Sequence, residues 1–244
     1  MLLDKLKMEF LGSFIMVYAS GVALVNYSSG ATDKISVGLT NFFATLVMIW
    51  IGKNISFAQY NPMVTLAFVL SKHISSDKAV YIVGAQSIGA ILALSFLKLT
   101  LPVEILNAVN QTSLLGFPLK PIPLVMGLIF ELVGTFFLVV SYYLFMIEQT
   151  AAKNAYAACI GGVAFIVTLG LLDRTGCGLN PIRMFCYSII SGEYRNLVIY
   201  IVGPVIGAVL ASLFGEYVIT EKASEAKKRR KAEKRRAIAE MKFD

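Results

Sequence analysis

The chain has 244 residues, is 57% hydrophobic and has a mean hydropathy of +0.72. Charged residues make up 15%, against roughly 25% in soluble domains, which excludes a soluble globule and leaves an integral membrane protein with room for six or seven spans of about 20 residues. Of the net charge of +7, residues 221–244 carry most, with ten Lys or Arg against five Asp or Glu, so the body is close to neutral.

In chain order, the first apolar segment runs from Met8 to Tyr27 behind a short charged start. It lacks a small-residue cleavage site and is long enough to span, so it is read as a retained first helix. Further spans are expected at about 37–55, 79–100, 121–146, 154–172 and 196–219. Two shorter apolar segments, at about 61–70 and 180–190, are too brief to cross and begin at Asn61-Pro62 and Asn180-Pro181. Asn accepts hydrogen bonds from the free N–H groups of a helix start, and Pro suits the first helical position. Both segments are predicted to be half-helices that enter the membrane and stop. Such broken backbone is tolerated only where protein or a water-filled cavity satisfies it.

The two halves repeat one another. Glu9-x-x-Gly12-Ser13-Phe14 returns 122 residues later as Glu131-x-x-Gly134-Thr135-Phe136. Gly89-Ala90-Ile91-Leu92-Ala93 returns as Gly207-Ala208-Val209-Leu210-Ala211, and the two Asn-Pro pairs lie 119 residues apart. Three spans per half is an odd number, so the second half enters from the opposite face. The predicted fold is an all-α membrane protein with six transmembrane helices and two re-entrant half-helices in an inverted repeat. Repeat one covers about 5–100 and repeat two about 121–219, together one channel-like domain over 1–219, and 220–244 form a basic tail.

Lys5, Lys7, Lys53, Lys72, Lys78 and Lys153 fall on the same side as the tail, so both termini are expected in the cytoplasm, beneath the plasma membrane or an intracellular one. The outer loop at about 101–120 contains Asn110-Gln111-Thr112, a glycosylation sequon. The tail is read as a contact for anionic lipid headgroups rather than for nucleic acid. A single histidine, His73, and three cysteines give neither a metal cluster nor a nucleophile–His–acid set, so no cofactor and no enzyme activity are expected.

Several stretches together resemble the aquaporins, the major intrinsic protein family, over about residues 5–219. They are Glu9-Phe10-Leu11-Gly12-Ser13, Tyr60-Asn61-Pro62-Met63-Val64-Thr65, Ala85-Gln86-Ser87-Ile88-Gly89-Ala90, Glu131-Leu132-Val133-Gly134-Thr135 and Thr175-Gly176-Cys177-Gly178-Leu179-Asn180-Pro181-Ile182-Arg183. The resemblance implies a homotetramer with one passive pore per chain. Single-file water would pass the positive ends of two half-helices and the amides of Asn61 and Asn180, with protons excluded. It also implies that Glu9 and Glu131 brace the re-entrant loop of their own half. A proton relay is the other reading of two acidic residues inside spans.

The resemblance places Arg183 at the selectivity filter, and spacing aligns Asn41, Thr168 and Cys177 as its partners. Water-specific members carry Phe and His where this chain has Asn41 and Thr168. Glycerol channels present an aromatic wedge there and an Asp after the Arg, where this chain has Met184. A filter of Asn41, Thr168, Cys177 and Arg183 is therefore expected to be polar and wide, passing water and also ammonia, urea, hydrogen peroxide or glycerol. Met63 and Ile182 replace the small Ala that usually follows Asn-Pro. Either they narrow and dry the pore, which favours a non-conducting junctional protein that kept the fold, or they pack behind the Asn side chains. Gln59 and Tyr60 sit where loop carbonyls would line the path, with side chains read as packing. Phe42, Phe43, Trp50, Tyr142 and Tyr143 are expected to face lipid or the interface.

Overall fold

A computed structural model describes residues 2–102, 122–147, 155–192, 194 and 196–220. In lipid every backbone polar group must be satisfied within the protein, and the apolar segments do so as helices. They are α1 (Leu2–Ser28), α2 (Lys34–Ser56), α3 (Pro62–Leu70), α4 (Ser76–Thr100), α5 (Leu124–Tyr142), α6 (Tyr156–Thr175), α7 (Pro181–Ser191) and α8 (Ile199–Phe214). α5 and α8 each run on into a wider π turn, at Tyr143–Ile147 and Gly215–Thr220. Six helices are long and apolar enough to cross a membrane, and α3 and α7 are the two short ones. The protein is an integral, multi-pass membrane protein with the expected fold. α1 begins at Leu2, earlier than the apolar run, because the charged start is itself helical. Asn110, Lys153 and the basic tail lie outside the described residues.

Local chemistry sets the helix ends. Asp33 caps α2, its side chain accepting from the Ser36 N–H at 2.8 Å, and the Ser36 hydroxyl and N–H hold the Asp33 carboxyl below its usual range. α2 stops at Phe57, which takes a left-handed φ of 66°. α6 stops in the same way at Gly176, with φ 75°.

The packing follows the repeat. α1 lies along α4, α5 lies along α8, and α2 packs on α6 to join the halves. Small residues permit the close approaches, as is usual between membrane helices. A Cβ on Gly89 would come within 2.3 Å of the Phe10 carbonyl oxygen, and one on Gly207 within 2.4 Å of the Leu132 carbonyl oxygen. Phe10 and Leu132 each follow one of the repeated glutamates, so the same contact is built twice. The half-helices cross over: α3 packs most on α8, the third span of the other half, and α7 most on α4.

One expectation is corrected here. Tyr142 and Tyr143 do not face lipid; they are 2% and 0% exposed. The Tyr143 hydroxyl donates to the Ala67 carbonyl at 3.1 Å and is hydrogen-bonded with Ser212 Oγ at 3.2 Å. Its ring fills the space left by the missing side chain of Gly215. Burial is worthwhile for a tyrosine when its hydroxyl finds partners, as here. Phe43 and Trp50, by contrast, are more than half exposed, as expected of lipid-facing rings.

Candidate functional site

The site is built from two loops of matching geometry. Residues 57–61 connect α2 to α3, and 176–180 connect α6 to α7. Neither loop can form helix, so its N–H groups need other partners at membrane depth. Glu9, on α1, supplies them for the first loop. It accepts from Ser56 Oγ at 2.7 Å, Gln59 N at 2.9 Å, Tyr60 N at 2.7 Å and Gln86 Nε2 at 2.9 Å. Glu131, on α5, does the same for the second loop, accepting from Thr175 Oγ1 at 2.5 Å, Gly178 N at 2.9 Å and Leu179 N at 2.7 Å. Ser56, Gln59 and Tyr60 each precede their counterpart by 119 residues, the same offset as the Asn-Pro pairs. Both carboxylates are fully buried, and two or more hydrogen bonds to each are what keep such a group tolerable there.

The loops are strained in the same places. Phe57, Ala58 and Tyr60 have φ of 66°, 50° and 53°, and Gly176, Cys177 and Leu179 have 75°, 55° and 53°. Only one of the six is glycine. Non-glycine residues held in this region cost on the order of 1–3 kcal/mol each and persist only when their surroundings fix them. The glutamate braces provide that fixing. The turns present N–H groups to the carboxylates, while loop carbonyl oxygens accept from side chains, that of Tyr60 from Ser13 Oγ at 3.2 Å among them.

Asn61 and Asn180 cap the half-helices. The Asn61 side-chain oxygen accepts from Met63 N at 2.9 Å, and that of Asn180 accepts from Ile182 N at 3.1 Å and Arg183 N at 3.3 Å. Their amide nitrogens reach across the pseudo-twofold: Asn61 Nδ2 donates to the Leu179 carbonyl at 3.0 Å, and Asn180 Nδ2 to the Tyr60 carbonyl at 3.3 Å. Each amide carries two N–H donors, so one locks the loops together and the other stays available. Pro62 and Pro181 occupy the first helical positions of α3 and α7. Each helix start adds a partial positive charge beside its Asn.

A cavity of about 70 Å³ opens between the two capping asparagines and is lined by Asn41, Asn61, Thr168, Cys177, Asn180 and Arg183, among others. One water needs roughly 10–15 Å³ of such space, so the cavity has room for a short file of waters. Asn41 Nδ2 donates to Thr168 Oγ1 at 3.0 Å, and Cys177 Sγ lies 3.9 Å from the same oxygen. Arg183 donates through Nη2 to the Cys177 and Gly178 carbonyls and through Nη1 to Ser20 Oγ at 3.1 Å, while its Nε is buried without a partner. The four residues aligned by spacing therefore meet at one place.

Met63 and Ile182 are not among the residues lining this cavity. Met63 belongs to the apolar cluster around Tyr60 and Phe68, and Ile182 packs against the one around Tyr187 and Tyr200. No pattern of spacing marks Ser20, which supports Arg183, and Tyr142, expected at the lipid, instead lines the cavity from α5; Gln59, expected beside the path, is a lining residue.

Residues 2–214 match the family model of the major intrinsic proteins. The chain belongs to that family. Among its aquaporin relatives, it is 32% identical over 215 residues to aquaporin-4 of Rattus norvegicus, covering 86% of this chain and 65% of the relative. It is 33% identical over 232 residues to aquaporin-1 of Bos taurus, covering 89% of this chain and 82% of the relative. The chain thus spans just under two thirds of the length of the rat aquaporin-4. Its fold matches the X-ray structure of the aquaglyceroporin from Plasmodium falciparum with a TM-score of 0.77, over 92% of this chain and 99% of that one, at 18% identity. In this aquaporin-family chain the glutamates brace the loop of their own repeat, and the crossed asparagine amides tie the two loops to each other.

Proposed function

We propose that the protein is a passive channel for water that also passes small neutral solutes such as ammonia, urea, hydrogen peroxide or glycerol, while excluding ions and protons. Membership of the aquaporin family places the chain among channels rather than enzymes. The observation that carries the finer reading is the cavity between Asn61 and Asn180, into which two helix starts and two amide donors converge. A water oxygen entering it accepts from both asparagines. That leaves it oriented with its own hydrogens pointing away, which breaks the chain along which a proton would hop. The positive helix ends and Arg183 oppose cations.

Width follows from side-chain size. Asn41 and Thr168 are small, mutually hydrogen-bonded and leave no aromatic ring at the filter. The position of Met63 and Ile182 outside the cavity lining takes away the main support for a non-conducting, junctional relative. The oligomer consistent with the family is a homotetramer, both termini are assigned to the cytoplasm, and the basic tail to anionic headgroups. Stopped-flow light scattering of proteoliposomes tests the filter. Urea or glycerol flux above that of empty liposomes supports the wide filter, and water flux without any solute leak would reject it.

A further inference from the structure

Tyr142 stands out among the cavity-lining residues. It ends α5 immediately before the π turn at Tyr143–Ile147, a kind of helix irregularity often found at functional positions. It is 2% exposed, and its hydroxyl donates to the Ala58 carbonyl at 3.2 Å and the Gln59 carbonyl at 3.5 Å. By the topology, α2 and α5 end on the same side of the membrane, so Tyr142 and the loop it touches occupy the half of the cavity on that side. The Arg183 filter belongs to the other half. Carbonyl oxygens of such a loop are the natural acceptors for a file of waters. Here two of them share the single proton of the tyrosine hydroxyl. Gln59 is a cavity-lining residue; its side-chain nitrogen donates back to the Ser56 carbonyl at 3.2 Å, and its Oε1 is buried without a partner.

We propose that Tyr142 forms a second constriction of the pore, on the α3 side of the asparagine pair, and with Gln59 sets the rate at which water passes. The ring narrows the lumen. Its one hydroxyl proton is shared between the Ala58 and Gln59 carbonyls, which leaves them weaker acceptors for water, and the Gln59 side-chain oxygen is the further acceptor in this half. Tyr142 reaches this place because α5 packs against the re-entrant loop, and Glu9 holds that loop in register from the opposite side. The inference rests on the channel reading above, and its test separates the two.

Full-length wild type and the variants Tyr142→Val, Tyr142→Phe and Tyr142→Trp are reconstituted at equal amounts of monodisperse protein, and osmotic water permeability per protein is measured. The expected order follows ring volume: Val severalfold above wild type, Phe close to it, and Trp severalfold below. A wild type that conducts, with Val equal to it or slower, overturns the constriction and leaves the channel reading intact. No flux from wild type but flux from Val supports the constriction as a complete stopper. No flux from either overturns both. Gln59→Leu, which removes the free acceptor while keeping bulk, is expected to slow water in the Tyr142→Val background; an unchanged rate there removes Gln59 from the proposal.

Discussion

At the scale of single residues, the site depends on small sets of hydrogen bonds whose loss has defined consequences. Glu9 satisfies four donors and Glu131 three. Replacing either by Ala orphans buried donors and releases the strained turn, so each variant should lose about 3 kcal/mol or more of stability. Thermal unfolding in detergent checks this, and Glu9→Gln should retain more than Glu9→Ala because one oxygen still accepts. At the filter, Asn41→Phe with Thr168→His restores the ring pair that water-specific relatives carry. The double variant is expected to keep water flux and lose urea and glycerol flux. Cys177 lines the cavity, so a mercurial should inhibit the wild type and leave Cys177→Ser conducting. Much of this was readable from the chain: Asn61, Asn180, Arg183 and the glutamates announced themselves by spacing. Ser20 did not, and Tyr142 pointed to lipid instead, because both positions depend on how side chains turn once the helices and the strained loops have packed. The left-handed turns at Phe57, Ala58 and Tyr60 were equally hidden, since no glycine marks them.

At the scale of elements, the repeat was legible because close helix contacts demand particular residues. Gly89 and Gly207 recur because a side chain at either would strike a carbonyl oxygen of the neighbouring helix. Gly89→Val and Gly207→Val should each destabilise by about 1–3 kcal/mol, the usual range for overpacking. Gly84→Ala offers a control. Nothing lies within 4 Å of a Cβ there, so the thermal unfolding temperature should not be lowered and should rise slightly with the better helix propensity of Ala. The half-helices were legible too, through Asn-Pro caps followed by runs too short to span. The crossing of each half-helix onto the third span of the opposite repeat was not, because it is a property of three-dimensional closure rather than of local pattern. The π turns after α5 and α8 were also invisible in the sequence. They begin at Tyr143 and Gly215, whose ring and missing side chain fit together only once the two helices are packed.

For the whole molecule, two half-sites that are each incomplete make one pore. Neither asparagine cap is finished within its own repeat: each amide donates to the loop of the other half. Composition alone indicated a multi-span membrane protein, and the duplication predicted an inverted arrangement with a cavity at its centre. The composition could not indicate that bulky Met63 and Ile182 would pack in apolar clusters away from the lining of the cavity. The central claim is therefore that water crosses between Asn61 and Asn180 while charge does not. The most direct measurement is the osmotic shrinkage rate of proteoliposomes carrying the full chain, read against proton leak in the same vesicles. The account predicts water flux well above empty liposomes, with a low activation energy and no added proton leak. Shrinkage no faster than that of empty liposomes, or water flux accompanied by proton leak, would contradict it.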